Sequence, residues 1–155
     1  MADQHNVFVS HRHEDDSYLP LLKELLAKHR IDIRDSSVNS STPNDAHNED
    51  YIKSILADRI QWAGKIIVII TPDTKNHEWV DWEVEYAQRY PDKRIIGVWA
   101  PGAEESDLPD ALDRFADAVV PWDADRIIAA LAGEDNWQGP DGAPSGPRVI
   151  SRIGC

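Results

Sequence analysis

Glu83 is the residue whose placement asks for a chemical explanation. Set out as a helix advancing ~100° per residue, Trp79-Val80-Asp81-Trp82-Glu83-Val84-Glu85-Tyr86-Ala87-Gln88-Arg89-Tyr90 carries Trp79, Val80, Trp82, Val84, Tyr86, Ala87 and Tyr90 on one broad face. Asp81, Glu85, Gln88 and Arg89 fall opposite, as ordinary solvated charges and amides do. Glu83 falls near the middle of the apolar arc, flanked by tryptophans. A carboxylate there gives up hydration, which hydrogen-bond partners or a task must offset. One reading is a core carboxylate bonded to a tryptophan N–H or a hydroxyl. The other is a carboxylate in an aromatic-walled cleft, suited to holding sugar hydroxyls and to stabilising an oxocarbenium-like transition state at ribose.

Other constellations are weaker. Ser10-His11-Arg12-His13-Glu14-Asp15 places two imidazoles and acids in a His-x-His-x-Asp run, a set of residues that suits zinc. A hydrolytic metal site needs further ligands downstream, and His29, His47 and His77 bring no second cluster. The run reads better as a loop whose acids lead into a helix, and no metal is expected. No G-x-x-x-x-G-K or G-x-G-x-x-G motif is present, and Ile70-Thr71-Pro72 stands where a phosphorelay receiver carries its aspartate. Cys155 has neither helix nor base beside it, which argues against a cysteine nucleophile.

The elements that must position Glu83 alternate between strand and helix. Val7-Phe8-Val9 is a short apolar strand, and a helix capped by Ser17 runs to about Arg30. Ile31 to Arg34 is a second strand, followed by a long polar loop from Ser36 to Asn48. Ile52, Leu56, Ile60 and Ala63 mark a helix closed by Gly64. Lys65-Ile66-Ile67-Val68-Ile69-Ile70 is continuously apolar, as a strand covered on both faces must be. The Glu83 helix, a strand from Arg94 to Trp99, a short strand from Ala118 to Val120, and a helix capped by Asp123 and ended by Gly133 complete the order. Such alternation predicts an open α/β fold, an approximately five-stranded parallel sheet with helices on both faces. Ligands of such sheets bind outside the carboxyl ends of the strands. Ser10, His11, Asp35, Thr71 and Trp79 emerge at or near that edge and are the candidate substrate-contacting residues.

The chain of 155 residues suits one domain, expected over residues 1–134, with a flexible tail over 135–155. Gln138 to Pro147 is rich in proline and glycine and reads as a linker. The rival reading of the tail is a segment that docks on a partner or on a free sheet edge. Removing residues 138–155 is expected to leave folding intact. The net charge of −12 opposes nucleic-acid backbones and anionic lipid, and no apolar run approaches a membrane span. One cysteine and an N-terminus without an apolar stretch fit a cytoplasmic protein.

Together these segments resemble a TIR domain. Val7-Phe8-Val9-Ser10-His11-Arg12-His13-Glu14-Asp15 resembles the first box of that family. Ile66 to Pro72 followed by Trp79-Val80-Asp81-Trp82-Glu83 resembles its third strand and its tryptophan-x-x-x-glutamate helix. The fit spans roughly residues 6 to 132. The Trp-Val-x-Trp-Glu form and Arg94-Ile95-Ile96-Gly97-Val98 are more similar to the bacterial TIR-like subunit of Thoeris antiphage systems than to animal receptor domains. His11 departs from the usual aromatic residue, and the Ser36–Asn48 loop keeps only Arg34-Asp35 of a common Arg-Asp-x-x-Pro-Gly pattern.

The resemblance implies a flavodoxin-like TIR fold, with Glu83 in the place of the catalytic glutamate of NAD-consuming members. Ser10 matches the serine after the first strand, and Asp35 the acid that ends the second. It implies an NAD⁺ glycohydrolase or ADP-ribosyl cyclase-like activity, with NAD⁺ as substrate and no cofactor. The product would be an ADP-ribose-derived signal, linear, cyclic or conjugated, acting on a separate effector, with self-assembly open. The alternatives are a non-catalytic TIR-like interaction module and a nucleotide sensor without turnover.

Overall fold

Continuous β-branched sequence needs cover on both faces, and Lys65–Ile70 obtains it by lying in the middle of the sheet. In the computed structural model the elements run β1 (His5–Ser10), α1 (Tyr18–Leu26), β2 (Ile31–Asp35), α2 (Glu49–Trp62), β3 (Lys65–Ile70), α3 (Glu78–Gln88), β4 (Arg94–Trp99), α4 (Asp110–Phe115), β5 (Ala118–Val120) and α5 (Ala124–Leu131). The structure describes residues 5–11, 17–27, 31–35, 49–72, 74 and 78–144, with backbone alone for 5, 31–35, 49–52, 78 and 79. All five strands are parallel, in the order β2-β1-β3-β4-β5. The expected α/β fold with a flavodoxin-like sheet is therefore present.

Strand order decides which helix covers which face. Crossovers between parallel strands are right-handed, and β1 steps to β2 in the direction opposite to the later steps. Accordingly α1 covers one face with Leu19, Leu22 and Leu26, joined by Ile127, Ala130 and Leu131 of α5. The other face is covered by Leu56 and Ile60 of α2, Val80, Val84 and Ala87 of α3, and Leu112 and Phe115 of α4. Between the layers Ile66, Val68 and Ile70 point one way and Ile67 and Ile69 the other, all fully buried. Each such side chain contributes roughly 1.5–3 kcal/mol. Gly97 in β4 allows α4 to approach closely, since a Cβ there would lie 3.1–3.3 Å from Ile70, Leu112 and Val119.

Several local expectations are met and some are not. Asp123 accepts a hydrogen bond from the Asp125 amide at the start of α5, and Gly133, at φ +119°, follows its end. Ser17 holds the N-cap position of α1, but it is helical in backbone and its side chain makes no capping bond. Helix α4 has no counterpart in the sequence reading, because six residues give too little length for a helical period to register. Gln88, expected on the polar face of α3, is buried.

The C-terminal segment meets the sheet. The Val119 amide donates to the Asn136 carbonyl at 2.9 Å, and the Gln138 amide donates to the Val119 carbonyl at 2.8 Å. Trp137 thereby forms a parallel bridge with Val119, and the Trp99 indole N–H donates to the Gln138 carbonyl at 2.8 Å. A cavity of about 350 Å³ lies between this segment and Trp99, Glu105, Leu108 and Val119. Residues 145–155 lie outside the described residues. No helix among the described residues is long and apolar enough to cross a membrane.

Candidate active site

Two chain directions part at the carboxyl end of this sheet. From β1 the chain turns toward β2, and from β3 it turns toward β4, which opens a crevice between β1 and β3. Ser10 is the last residue of β1 and stands in register with Val68 of β3, on the face that α3 covers. Residues 12–16, 36–48, 73 and 75–77, which belong to the connections leaving β1, β2 and β3, lie outside the described residues. The His13, Glu14 and Asp15 part of the His-x-His run is among them.

Glu83 enters this crevice from α3 and is only 1% exposed. The Ser10 hydroxyl donates to Glu83 Oε1 at 2.7 Å, a short bond of the kind that carboxyl acceptors make. Glu83 Oε2 accepts no hydrogen bond among the described residues. Burial pushes the Glu83 carboxyl up from 4.5 to about 8, opposed by the Ser10 hydrogen bond and by the positive charge of Arg59 on α2. Glu83 is thus half satisfied, as a core carboxyl bonded to a hydroxyl would be, and its second oxygen has no partner among the described residues at the carboxyl end of the sheet.

The remaining candidates fall around it unevenly. His11 follows Ser10 and is also buried. Asp35 ends β2 beside Val9 of β1, so it lies at the same sheet edge, and its side chain is not described. Thr71 follows β3 and forms the base of a turn. Its amide donates to Thr74 Oγ1 at 2.9 Å, the two hydroxyls share a bond at 2.9 Å, and Thr74 Oγ1 donates to the Ile69 carbonyl. Trp79 is in the first turn of α3, four residues before Glu83, with only its backbone described. Trp82 stacks on Tyr86 at 5.3 Å and lies under the Lys53 ammonium of α2, so this tryptophan joins the two helices.

Two contributors were not found from the sequence. Arg59 reads as one more charge on an amphipathic helix until the fold brings α2 beside α3, and no sequence signal marks it. Thr74 was legible in principle, because Thr71-Pro72-Asp73-Thr74 is turn-forming sequence in which a threonine hydroxyl readily bonds nearby backbone. Among the described residues, no group of three or more His, Cys, Asp or Glu could hold a metal ion.

The family model of the TIR-like domain of the Thoeris protein ThsB matches residues 8–105, more than half of the chain. The chain belongs to that family. The matched span of the ThsB TIR-like domain contains Ser10, Thr71 and Glu83 and ends just past β4, so the whole crevice lies within it. The α4, β5 and α5 elements and the edge-docked segment follow it. No curated protein matches the chain.

Proposed function

We propose that this chain is an NAD⁺-processing enzyme of antiphage defence, which cleaves the nicotinamide–ribose bond and makes an ADP-ribose-derived signal. Membership of the Thoeris ThsB TIR-like family supports the defence role. The observation that carries the chemistry is Glu83, buried at the switch point with one oxygen held by Ser10 and the other without a donor among the described residues.

In the proposed reaction the bond between ribose C1′ and the pyridinium nitrogen breaks, and its electron pair stays on nitrogen. Nicotinamide leaves as a neutral molecule, so its departure needs no general acid. Positive charge develops on the ribose, where a carboxylate fixed in a water-poor site lowers the barrier. Glu83 Oε2 is the atom free to accept a ribose hydroxyl, while Ser10 fixes Oε1. Water or a hydroxyl or amine of a second group then attacks C1′ and loses a proton, which gives the linear, cyclic or conjugated product.

The test is to incubate the purified chain and its Glu83→Gln variant with NAD⁺ and follow nicotinamide and every adenine-containing product by mass spectrometry. Turnover is expected to fall at least about 100-fold in the variant, the loss typical for removing one transition-state electrostatic partner. Equal turnover in both proteins would overturn the role of Glu83. Silence of the wild type even in infected-cell extract, with no NAD⁺ binding, would leave the non-catalytic interaction module.

A further inference from the structure

The environment of Glu83 bears on which dinucleotide it accepts. An ionised carboxylate withdrawn from water ordinarily needs several donors or a close cation. Here Ser10 supplies one donor, and Oε2 has none among the described residues. The buried α3 side chains nearest in sequence on its face are apolar, Val80, Val84 and Ala87. Among the described residues packed around it, the charge that acts on Glu83 is Arg59 of α2, His11 follows the end of β1, and the end of β3 presents the hydroxyls of Thr71 and Thr74. Burial in these surroundings raises the Glu83 carboxyl to about 8 and so favours its protonated form at neutral pH.

We infer that Glu83 gives up this proton when a cationic ribosyl ligand is seated against it, so that the site favours the pyridinium form of a dinucleotide over the neutral dihydropyridine form. The inference rests on the NAD⁺ reading above and adds the charge state that selects the substrate. The O–H bond of Glu83 breaks, the electron pair remains on Oε2, and the proton passes to solvent buffer. A positive charge within about 4–6 Å lowers a carboxyl pKa by roughly 1–3, and a ribose hydroxyl donating to Oε2 acts in the same direction. The raised carboxyl, at about 8, then ionises near neutral pH. The dihydropyridine form offers the hydroxyl without the charge, and so recovers less of the cost of ionising a buried group.

The experiment is calorimetric titration of the full chain at pH 7 in buffers of different ionisation enthalpy. The ligands are NADH and a carbocyclic NAD⁺ analogue whose nicotinamide bond does not break. Bound analogue is expected to release about 0.4–0.9 of a proton per site, NADH clearly less, and the Glu83→Gln variant none. Analogue that binds without proton release, or release equal for both ligands, overturns the inference and leaves the NAD⁺ reading standing. Failure of both ligands to bind overturns the two together. Ser10→Ala gives an independent arm if the glutamine variant does not fold. It removes a donor that favours ionisation, so the pH of greatest proton release should lie above that of the wild type, and an unmoved or lower optimum counts against the inference.

Discussion

At the scale of the residue, the candidate site is built around one hydrogen bond formed across a sequence separation of 73 residues. The oddity of Glu83 was legible, because a helical wheel alone shows a carboxylate inside an apolar arc. Its partner was not: local sequence does not reveal that the end of β1 will face α3 until the strand order is set. Burial of the same carboxyl fixes a pH signature, which the Ser10 bond partly offsets. The unfolded carboxyl titrates near 4.5 and the folded one near 8. Below the lower value both states hold the proton, and the contribution of Glu83 to stability is fully present. Between the two values the folded state holds a proton that the unfolded state has shed, so raising the pH favours unfolding. Above about 8 the buried group is ionised and the contribution is lost. Glutamine stays neutral throughout. The melting temperature of the wild type should therefore fall relative to Glu83→Gln as the pH rises from about 5 to about 8.5, and a scanning-fluorimetry difference that stays constant would refute this.

At the scale of the element, boundaries were most legible in the apolar strands. Lys65–Ile70, Arg94–Trp99 and Ala118–Val120 occupy the residues read for them, because unbroken β-branched sequence has few alternatives. Helix α4 went unread, and so did the way α2 is tied down. Lys93, buried between β4 and the end of α2, donates to the carbonyls of Gln61 at 3.1 Å and Ala63 at 2.8 Å. A lysine beside an exposed turn looks like a solvated charge in the sequence. Here it satisfies carbonyls that a helix end leaves over and suits the negative end of the helix dipole. On the far side of the same interface, Trp82, Tyr86 and Tyr90 form a ladder along α3, and Gln61 of α2 donates to the Tyr86 hydroxyl at 3.2 Å. Lys93→Met keeps the aliphatic stem and removes the donors. It should cost about 1–3 kcal/mol in urea unfolding, and an unchanged midpoint would refute this role.

At the scale of the whole molecule, the flavodoxin-like order explains why a site exists where it does. The reversal of direction between β1 and β3 brings the ends of both strands together beneath α3, and Ser10 and Glu83 meet there. The C-terminal segment adds a second large-scale feature. Composition alone suggested a linker from Gln138, with docking on a free sheet edge as the rival reading. The described residues to Pro144 include the Val119, Trp99 and Gln138 contacts, which alter the expectation that removing residues 138–155 is harmless. Arg94 reinforces the same corner by donating to the Ala130 and Glu134 carbonyls and pairing with Asp135. Truncation before Asn136 should lower the melting temperature by several degrees, at roughly 2–4 °C per kcal/mol for a domain of this size. An unchanged melting curve would show that these contacts add nothing to stability.

That edge contact also limits how copies of the chain could be joined. The outward-facing amide and carbonyl of Val119, the middle residue of β5, are already occupied by the chain itself. Among the described residues the other border of the sheet is β2. A unit with a single bonding border has a valency of one: two copies joined border to border saturate each other, and a third has nowhere to attach. Among the described residues, then, any filament or larger ring needs at least one contact that is not strand to strand.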